Sequence, residues 1–165
     1  MVHGVSLVGA AACNRVISRE STVREAPIHP LQGALRLDGQ PWALPTLQGQ
    51  VTVIDFWASW CSPCREAFPF LDNLYRRYVG NGLQVFGLSV DKEAKPARAF
   101  AARMQPQFAL AWDPDGVVSD RFGVQQLPTT ILLDQSLRMV HRNVGFTEED
   151  HRRMELAARD LLNIL

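Results

Sequence analysis

The sequence predicts an α/β protein in which a central mixed sheet is flanked by helices. Apolar runs of strand length alternate along the chain with segments whose apolar residues recur at helical spacing. The composition agrees, because 47% of the 165 residues are hydrophobic and 21% are charged, as in ordinary globular proteins. A chain of this length is large enough to bury one apolar core.

The charge balance excludes nucleic acid as an expected partner. The chain has 17 Lys and Arg residues against 17 Asp and Glu residues, and no basic stripe is interleaved with aromatic residues. No apolar run reaches the length needed to span a bilayer.

Residues 1–29 differ from the rest and are expected to form an N-terminal tail before a single domain over 30–165. The small apolar run 5–12 ends in three alanines followed by Cys13, which resembles the cleavage site of a bacterial lipoprotein. Cys13 is therefore a candidate lipid anchor, and the periplasm or the extracytoplasmic face of a membrane is the expected location. No Lys or Arg precedes the run, so a tail with an incidental thiol is the equal alternative, and the cytoplasm remains the second location.

The domain is expected to begin with a hairpin. Residues 34–37 alternate between apolar and other side chains, and Asp38-Gly39 is a tight-turn signal. Pro41 and Pro45 favour a place at the edge of the sheet, because proline cannot donate to a strand ladder.

A strand, a helix and a second strand follow. The β-branched run 51–54 predicts a buried strand, and residues 80–82 are expected to end the helix after it. Residues 83–90 predict a strand buried on both faces, so this unit predicts a right-handed parallel crossover. The helix carries five apolar or aromatic residues at helical spacing: Phe68, Leu71, Leu74, Tyr75 and Tyr78.

The remaining chain continues the alternation of helices and strands. Thr147 is a good N-cap, and acidic residues follow it in the first turn of the last helix. The elements are expected in this order: a helix over 93–105, a strand over 108–112, a short helix over 117–122, a strand over 129–134, its antiparallel partner over 139–144, and the C-terminal helix.

Cys61 and Cys64 lie between the first buried strand and its helix, separated only by Ser62 and Pro63. A strand that delivers a Cys-x-x-Cys pair to the start of a helix is typical of a dithiol redox centre.

The segment Asp-Phe-Trp-Ala-Ser-Trp-Cys-Ser-Pro-Cys, which ends at Cys64, resembles the active-site segment of the thioredoxin superfamily. Over residues 31–165, the N-terminal hairpin and the extra strand and helix between Val90 and Pro128 resemble the TlpA/ResA-like thiol-disulfide oxidoreductases. Three further features resemble those of the thioredoxin superfamily and occur in the same order along the chain. They are Pro69 in the motif helix, Leu127-Pro128-Thr129 at the start of a strand, and Val144-Gly145 after the last strand.

This resemblance implies a thioredoxin-like sandwich in which Pro128 is cis and packs against the cysteine pair. The backbone around Pro128, at Leu127 and Thr129, would then pair with an incoming substrate strand. Trp60 is expected to form a wall of the substrate groove, while Trp57 is expected to be structural.

The two cysteines are expected to have different roles. Cys61 would meet the unpaired amides of the first helical turn, which stabilise a thiolate, so it is the expected nucleophile. Cys64 would be more buried and protonated, and it would resolve the mixed disulfide that Cys61 forms. Because Ser62-Pro63 adds no charge or histidine, a reductant or an electron relay is favoured over a strong oxidant.

Asp55 is the second chemical residue of the motif. A carboxylate in an apolar strand is expected to have a raised pKa, which suits a group that exchanges the proton of Cys64. The alternative is a strand-end aspartate bonded to a backbone amide. Many TlpA/ResA-like relatives instead place a Glu three residues after the second cysteine, where this chain has Ala67, and Glu66 is expected to face solvent.

No metal and no cofactor are expected. The histidines, His3, His29, His141 and His151, show no ligand spacing with the two cysteines, and a structural zinc site needs four ligands. A peroxiredoxin-like antioxidant is a weaker alternative, because Ile54 and Ala58 stand where its proline and threonine would be.

The sequence thus predicts a thiol-disulfide oxidoreductase that reduces protein disulfides through Cys61 and Cys64. Its partners would be protein disulfides and a redox donor, which is membrane-bound if the protein is exported. The alternative from another class is a client-binding module in which the disulfide is merely structural.

Overall fold

The computed structural model describes residues 28–164. Cys13 and most of the predicted tail lie outside these residues, so the lipid-anchor prediction is not addressed by the structure. None of the helices within 28–164 combines the length and the apolar character that crossing a membrane requires.

In the described part of the chain, five strands form one mixed sheet, and four α-helices accompany it. The strands are β1 (Val51–Trp57), β2 (Leu83–Ser89), β3 (Ala109–Trp112), β4 (Thr129–Leu133) and β5 (Met139–Val144). The helices are α1 (Ser62–Tyr78), α2 (Ala94–Met104), α3 (Val117–Arg121) and α4 (Glu148–Leu161).

The sheet has the order β3-β2-β1-β4-β5, with β1 at its centre. β1 and β2 are parallel, as are β2 and β3, whereas β4 runs antiparallel to both β1 and β5. The predicted mixed sheet and the parallel connection from β1 through α1 to β2 are therefore confirmed. In this register Asp55 lies between Gly87 on β2 and Thr130 on β4.

β1 separates two apolar cores, because successive side chains of a strand point to opposite faces. Val53 and Trp57 belong to the core that α1 covers, and Ile54 and Phe56 belong to the core on the other face. The first core contains an aromatic cluster in which Phe68 of α1 lies 5.0–5.4 Å, centroid to centroid, from three rings: Trp57, Phe100 and Phe108.

β1 is longer than the apolar run 51–54 from which it was predicted. It extends to Trp57, and all seven of its residues are buried, including Asp55. A polar residue in the middle interrupts the apolar pattern without ending the strand, because β2 and β4 supply hydrogen-bond partners on both sides.

The predicted N-terminal hairpin is reduced to an isolated antiparallel bridge between Leu35 and Pro41. The Asp38-Gly39 turn is present, and Gly39 has a φ of +83°. Leu35 instead exchanges two backbone hydrogen bonds of 2.8 Å with Trp112 at the outer edge of β3. Proline cannot donate to a ladder, so Pro41 could not continue a regular pairing.

Candidate active site

Cys61 and Cys64 form a disulfide at the junction of β1 and α1, with an S–S distance of 2.03 Å. Cys61 is the N-cap of α1, and Cys64 lies in its first turn. Cys61 is 5% exposed and Cys64 is fully buried. Cys64 is thus the more buried of the two, as the sequence predicted, and Cys61 is the more accessible cysteine.

The start of α1 presents a donor to the sulfur of Cys61. The backbone N–H of Cys64 donates to Cys61 Sγ at 3.2 Å. Pro63 lies at the start of the helix, where the missing N–H costs little. A negative charge on Cys61 would meet this N–H and the positive end of the helix dipole, and both favour the thiolate.

Asp55 is fully buried in the middle of β1. Its Oδ1 accepts a hydrogen bond of 2.8 Å from the hydroxyl of Thr130, and its Oδ2 has no hydrogen-bond partner within residues 28–164. Burial raises the pKa of Asp55 to about 7, although the bond from Thr130 lowers it in part. The alternative of a backbone-bonded aspartate is not what the structure has. Near neutral pH this carboxyl group can gain or lose a proton.

Alternation along β1 places Asp55 on the same face as Val53 and Trp57. That face is covered by α1 and shares its core with Cys64 and Ala67. Asp55 thus lies on the cysteine side of the sheet.

Pro128 lies at the end of β4 that neighbours the cysteines. The Leu127–Pro128 peptide bond is cis, as the family resemblance implied. Thr129 pairs with Phe56, near the end of β1 from which the chain continues to Cys61. Thr129 is fully buried and its hydroxyl donates to the carbonyl oxygen of Gln126 at 2.7 Å, so its side chain does not reach the surface.

Trp60, directly before Cys61, is the most exposed large apolar residue within 28–164, with 72% of its surface accessible. It lines a cavity of about 230 Å³ whose other walls are Val90, Ser119, Leu127 and residues 124–126. None of these side chains carries a charge. Trp57, in contrast, is fully buried, in keeping with its predicted structural role.

The position three residues after Cys64, where the sequence analysis noted a missing Glu, is buried and is filled by Ala67. Ala67 is buried, with 2% of its surface accessible, and Glu66 is exposed on the outer side of α1. Within residues 28–164 no three His, Cys, Asp or Glu side chains come close enough together to hold a metal ion.

Sequence reasoning missed one polar group beside the motif, the carboxylate of Asp91. It accepts hydrogen bonds from Ser59, two residues before Cys61, and it is 4% exposed. One local signal could have indicated Asp91. It is an acidic residue just after the buried parallel strand β2, at the edge of the sheet where the loops of neighbouring strands meet.

Comparisons with known proteins agree with this geometry. Thiol-disulfide oxidoreductase ResA of Bacillus anthracis is 28% identical over 109 residues, which are 66% of this chain and 63% of that protein. ResA of Bacillus subtilis is 25% identical over 145 residues, which are 88% of this chain and 81% of that protein. The first of these alignments thus spans less than two thirds of the relative's length.

Solved structures share the fold. A Chlorobium tepidum protein described as thiol:disulfide interchange protein DsbE is 34% identical with a TM-score of 0.68, over 70% of this chain and 82% of that one. The thioredoxin domain of a Bacteroides vulgatus thiol-disulfide oxidoreductase is 21% identical with a TM-score of 0.65, over 76% and 91% of the two chains. The fold is therefore thioredoxin-like.

A family model matches most of the sequence. The model describes the AhpC/TSA family, and the match covers residues 24–142, which include β1, the cysteine pair, Asp55 and the cis-proline. With this match, the chain belongs to the AhpC/TSA family.

Proposed function

We propose that the protein is a thiol-disulfide oxidoreductase that reduces disulfides of other proteins through Cys61 and Cys64. One observation carries this proposal: the disulfide lies at the N-terminus of a helix, Cys61 is 5% exposed and Cys64 is fully buried, and an ionisable carboxyl group lies on the same side of the sheet. The names of the curated relatives support the same chemistry.

The reaction begins with the reduced dithiol. The thiolate of Cys61 attacks one sulfur of the client disulfide, so a Cys61–client bond forms, the client S–S bond breaks and one client thiolate leaves. Cys64 then loses its proton and attacks Cys61 Sγ. The Cys61–Cys64 disulfide forms, the second client thiolate leaves, and two electrons have passed to the client.

Asp55 supplies the acceptor for the proton that Cys64 loses. A carboxylate with a pKa near neutrality is suited to this transfer, because it is ionised often enough to accept and weak enough as an acid to retain the proton. Its free oxygen, Oδ2, is the acceptor atom on this proposal.

The oxidised pair must be reduced again by a partner. A dithiol donor protein attacks Cys61, forms a mixed disulfide and leaves oxidised, which returns two electrons to the pair. The uncharged Ser62-Pro63 dipeptide supports this direction, since it adds no electrostatic stabilisation to the reduced form.

The client is proposed to bind where the cis-proline segment and Trp60 face Cys61. An extended client segment would pair with the backbone at Leu127, and an uncharged side chain beside its cysteine would occupy the cavity next to Trp60.

We also propose an extracytoplasmic location with a tether through Cys13 and a membrane-bound electron donor. The Ala10-Ala11-Ala12-Cys13 pattern supports it. Expression of the full chain in a bacterium, followed by membrane fractionation of the wild type and of Cys13→Ser, tests the tether. Recovery of the wild type in the soluble fraction would contradict it.

The function is tested by reduction of insulin disulfides with dithiothreitol as the electron source. Wild type and Cys13→Ser should accelerate the reaction equally, while Cys61→Ser should abolish the acceleration. In the Cys13→Ser background, Cys64→Ser should accumulate a mixed disulfide on Cys61, which mass spectrometry detects.

Two results would exclude the oxidoreductase. If the Cys61–Cys64 pair does not exchange with glutathione or dithiothreitol in the folded protein, the disulfide is structural and the client-binding module is favoured. If the pair exchanges but only hydrogen peroxide is consumed, the peroxidase alternative is favoured.

A further inference from the structure

The turn that carries Cys61 is attached to the end of β2 by a buried carboxylate. We propose that Asp91 is a positioning residue for the dithiol, which acts through Ser59 to hold Cys61 in bonding position with Cys64. This inference rests on the proposed redox function. It states that Asp91 shifts the equilibrium between the disulfide and the dithiol toward the disulfide.

Asp91 uses both carboxylate oxygens in this contact. Its Oδ2 accepts the backbone N–H of Ser59 at 2.9 Å, and its Oδ1 accepts the hydroxyl of Ser59 at 2.7 Å. The hydroxyl of Ser89 also donates to Oδ2, at 2.8 Å. With 4% of its surface exposed, Asp91 makes these bonds largely out of water, where competing solvent does not replace them.

Asp91 is itself fixed from the opposite side. The indole N–H of Trp112 donates to the Asp91 carbonyl oxygen at 2.6 Å, and the Asp91 N–H donates to Ser89 Oγ at 3.2 Å. One residue earlier, Val90 N–H donates to the carbonyl oxygen of Trp57, at 2.9 Å. The carboxylate is therefore held on a rigid support that includes β1, β2 and β3.

Ser59 is the point through which this support reaches Cys61. Residues 58–61 form a turn closed by the bond from Cys61 N–H to the Ala58 carbonyl oxygen, at 3.1 Å. Trp60, between Ser59 and Cys61, is 72% exposed and so contributes little packing that could hold the turn. Loss of the Ser59–Asp91 bonds would let the turn move relative to α1.

Such movement changes the redox equilibrium of the pair. An intramolecular disulfide is favoured to the extent that the fold holds the two thiols in bonding position. Cys64 is a buried residue within α1. Cys61 only caps the helix, through its Sγ and its carbonyl oxygen, so its position also depends on the turn that precedes it. A loosened turn should therefore weaken the disulfide relative to the dithiol.

The test measures the equilibrium of the Cys61–Cys64 pair with glutathione in the full chain, by alkylation of free thiols and mass spectrometry. Asp91→Ala should shift the equilibrium constant toward the dithiol by about tenfold, which corresponds to about 30 mV. Ser59→Ala removes one donor and retains the charge of Asp91, so it should shift the constant in the same direction by about threefold.

Asp134→Ala is the matched control. Asp134 is 5% exposed and also accepts backbone N–H groups, from Ser136 and Arg138, but it follows β4 at the end opposite the cysteines. Its loss should change the equilibrium constant by less than twofold, even if the melting temperature falls as much as in Asp91→Ala.

Equilibrium constants within twofold of the wild type in both Asp91→Ala and Ser59→Ala would overturn the proposal. A shift in Asp91→Ala without one in Ser59→Ala would also overturn it, since the charge would then be the cause. If Asp91→Ala does not fold, the result of Ser59→Ala decides. The equilibrium with glutathione is measured without a client protein. Failure of the wild type to reduce insulin would therefore refute the proposed function without affecting this measurement.

Discussion

The hydroxyl of Thr130 on β4 donates a hydrogen bond of 2.8 Å to Oδ1 of Asp55 on β1, across the centre of the sheet. A carboxylate that is removed from water and has one neutral donor is only partly compensated for its lost hydration. This relationship explains why the pKa of Asp55 rises to about 7 although no acidic neighbour faces it in the sheet register. It also makes Asp55 a source of pH dependence.

The contribution of Asp55 to the stability of the oxidised protein should fall as the pH rises from 4 to 8. In this range the unfolded chain releases a proton at Asp55, with its ordinary pKa of 3.8, whereas the folded protein retains the proton until about pH 7. A difference of roughly three in pKa corresponds to about 4 kcal/mol of unfolding free energy. Asp55→Asn removes this contribution, so its stability relative to wild type should increase with pH.

Urea unfolding at pH 4, 6 and 8 measures this effect. The comparison between wild type and Asp55→Asn isolates Asp55, because all other titrating groups are common to both proteins. A constant difference between the two at all three pH values would contradict the prediction.

The same substitution should slow the resolution of the mixed disulfide. The substitution removes the acceptor proposed for the proton of Cys64, and general acid–base groups typically contribute about 10²-fold or more. The expected result is a roughly 10²-fold slower release of the client at pH 7, with a smaller deficit near pH 10, where thiols ionise unaided.

Stopped-flow measurement of client release after single-turnover mixing provides the rate. Alkylation of Cys61 by iodoacetamide, in reduced Asp55→Asn, is the control and should proceed at close to the wild-type rate. Equal release rates in wild type and variant would show that Asp55 takes no part in proton transfer.

Trp60→Ala should weaken the use of protein clients without altering the dithiol itself. Tryptophan is enriched among the few residues that supply most of the energy of an interface, and Trp60 is exposed beside a cavity. A loss of about 1.4 kcal/mol would raise KM for insulin about tenfold. Reduction of a small aromatic disulfide should be little affected. Leu156→Ala, at a residue of α4 that is 49% exposed, serves as the control and should leave both values unchanged.

Gly87→Ala should destabilise the fold by about 1–3 kcal/mol. A Cβ atom at this position would lie 2.6 Å from Leu110 Cδ2 and 3.1 Å from both Phe108 Cε2 and Trp57 Nε1. Gly80→Ala is the control, because nothing lies within 4 Å of the corresponding Cβ position. Chemical unfolding of the two variants should separate them, and equal stabilities would contradict this account of the packing.

Local patterns were sufficient to predict most of the fold and the chemical centre. The apolar patterns placed β2, β5, α2 and α3 to within one residue, whereas α4 ends at Leu161 rather than at the C-terminus. The spacing of Cys61 and Cys64 predicted the pair at the start of α1. The burial of Asp55 also followed from its apolar neighbours in β1. The lipid anchor at Cys13 remains a prediction.

Features that depend on distant residues could not be predicted in this way. Leu35 was expected to pair with residues just beyond the Asp38-Gly39 turn, whereas its main partner is Trp112, far along the chain. The Ser59–Asp91 contact joins residues 32 positions apart, and nothing in the motif that contains Ser59 indicates Asp91 as its partner. Both contacts arise only once the parallel strands are aligned.

The bridge between Leu35 and Trp112 sets a lower limit on how far the protein can be trimmed. A shortened protein that begins at β1 would keep all five strands and both cysteines. It would lose the backbone partner of Trp112, whose indole supports Asp91 and, through it, the turn before Cys61. Residues 28–50 contribute no strand to the sheet, yet they belong to the smallest unit in which the redox pair keeps its native surroundings.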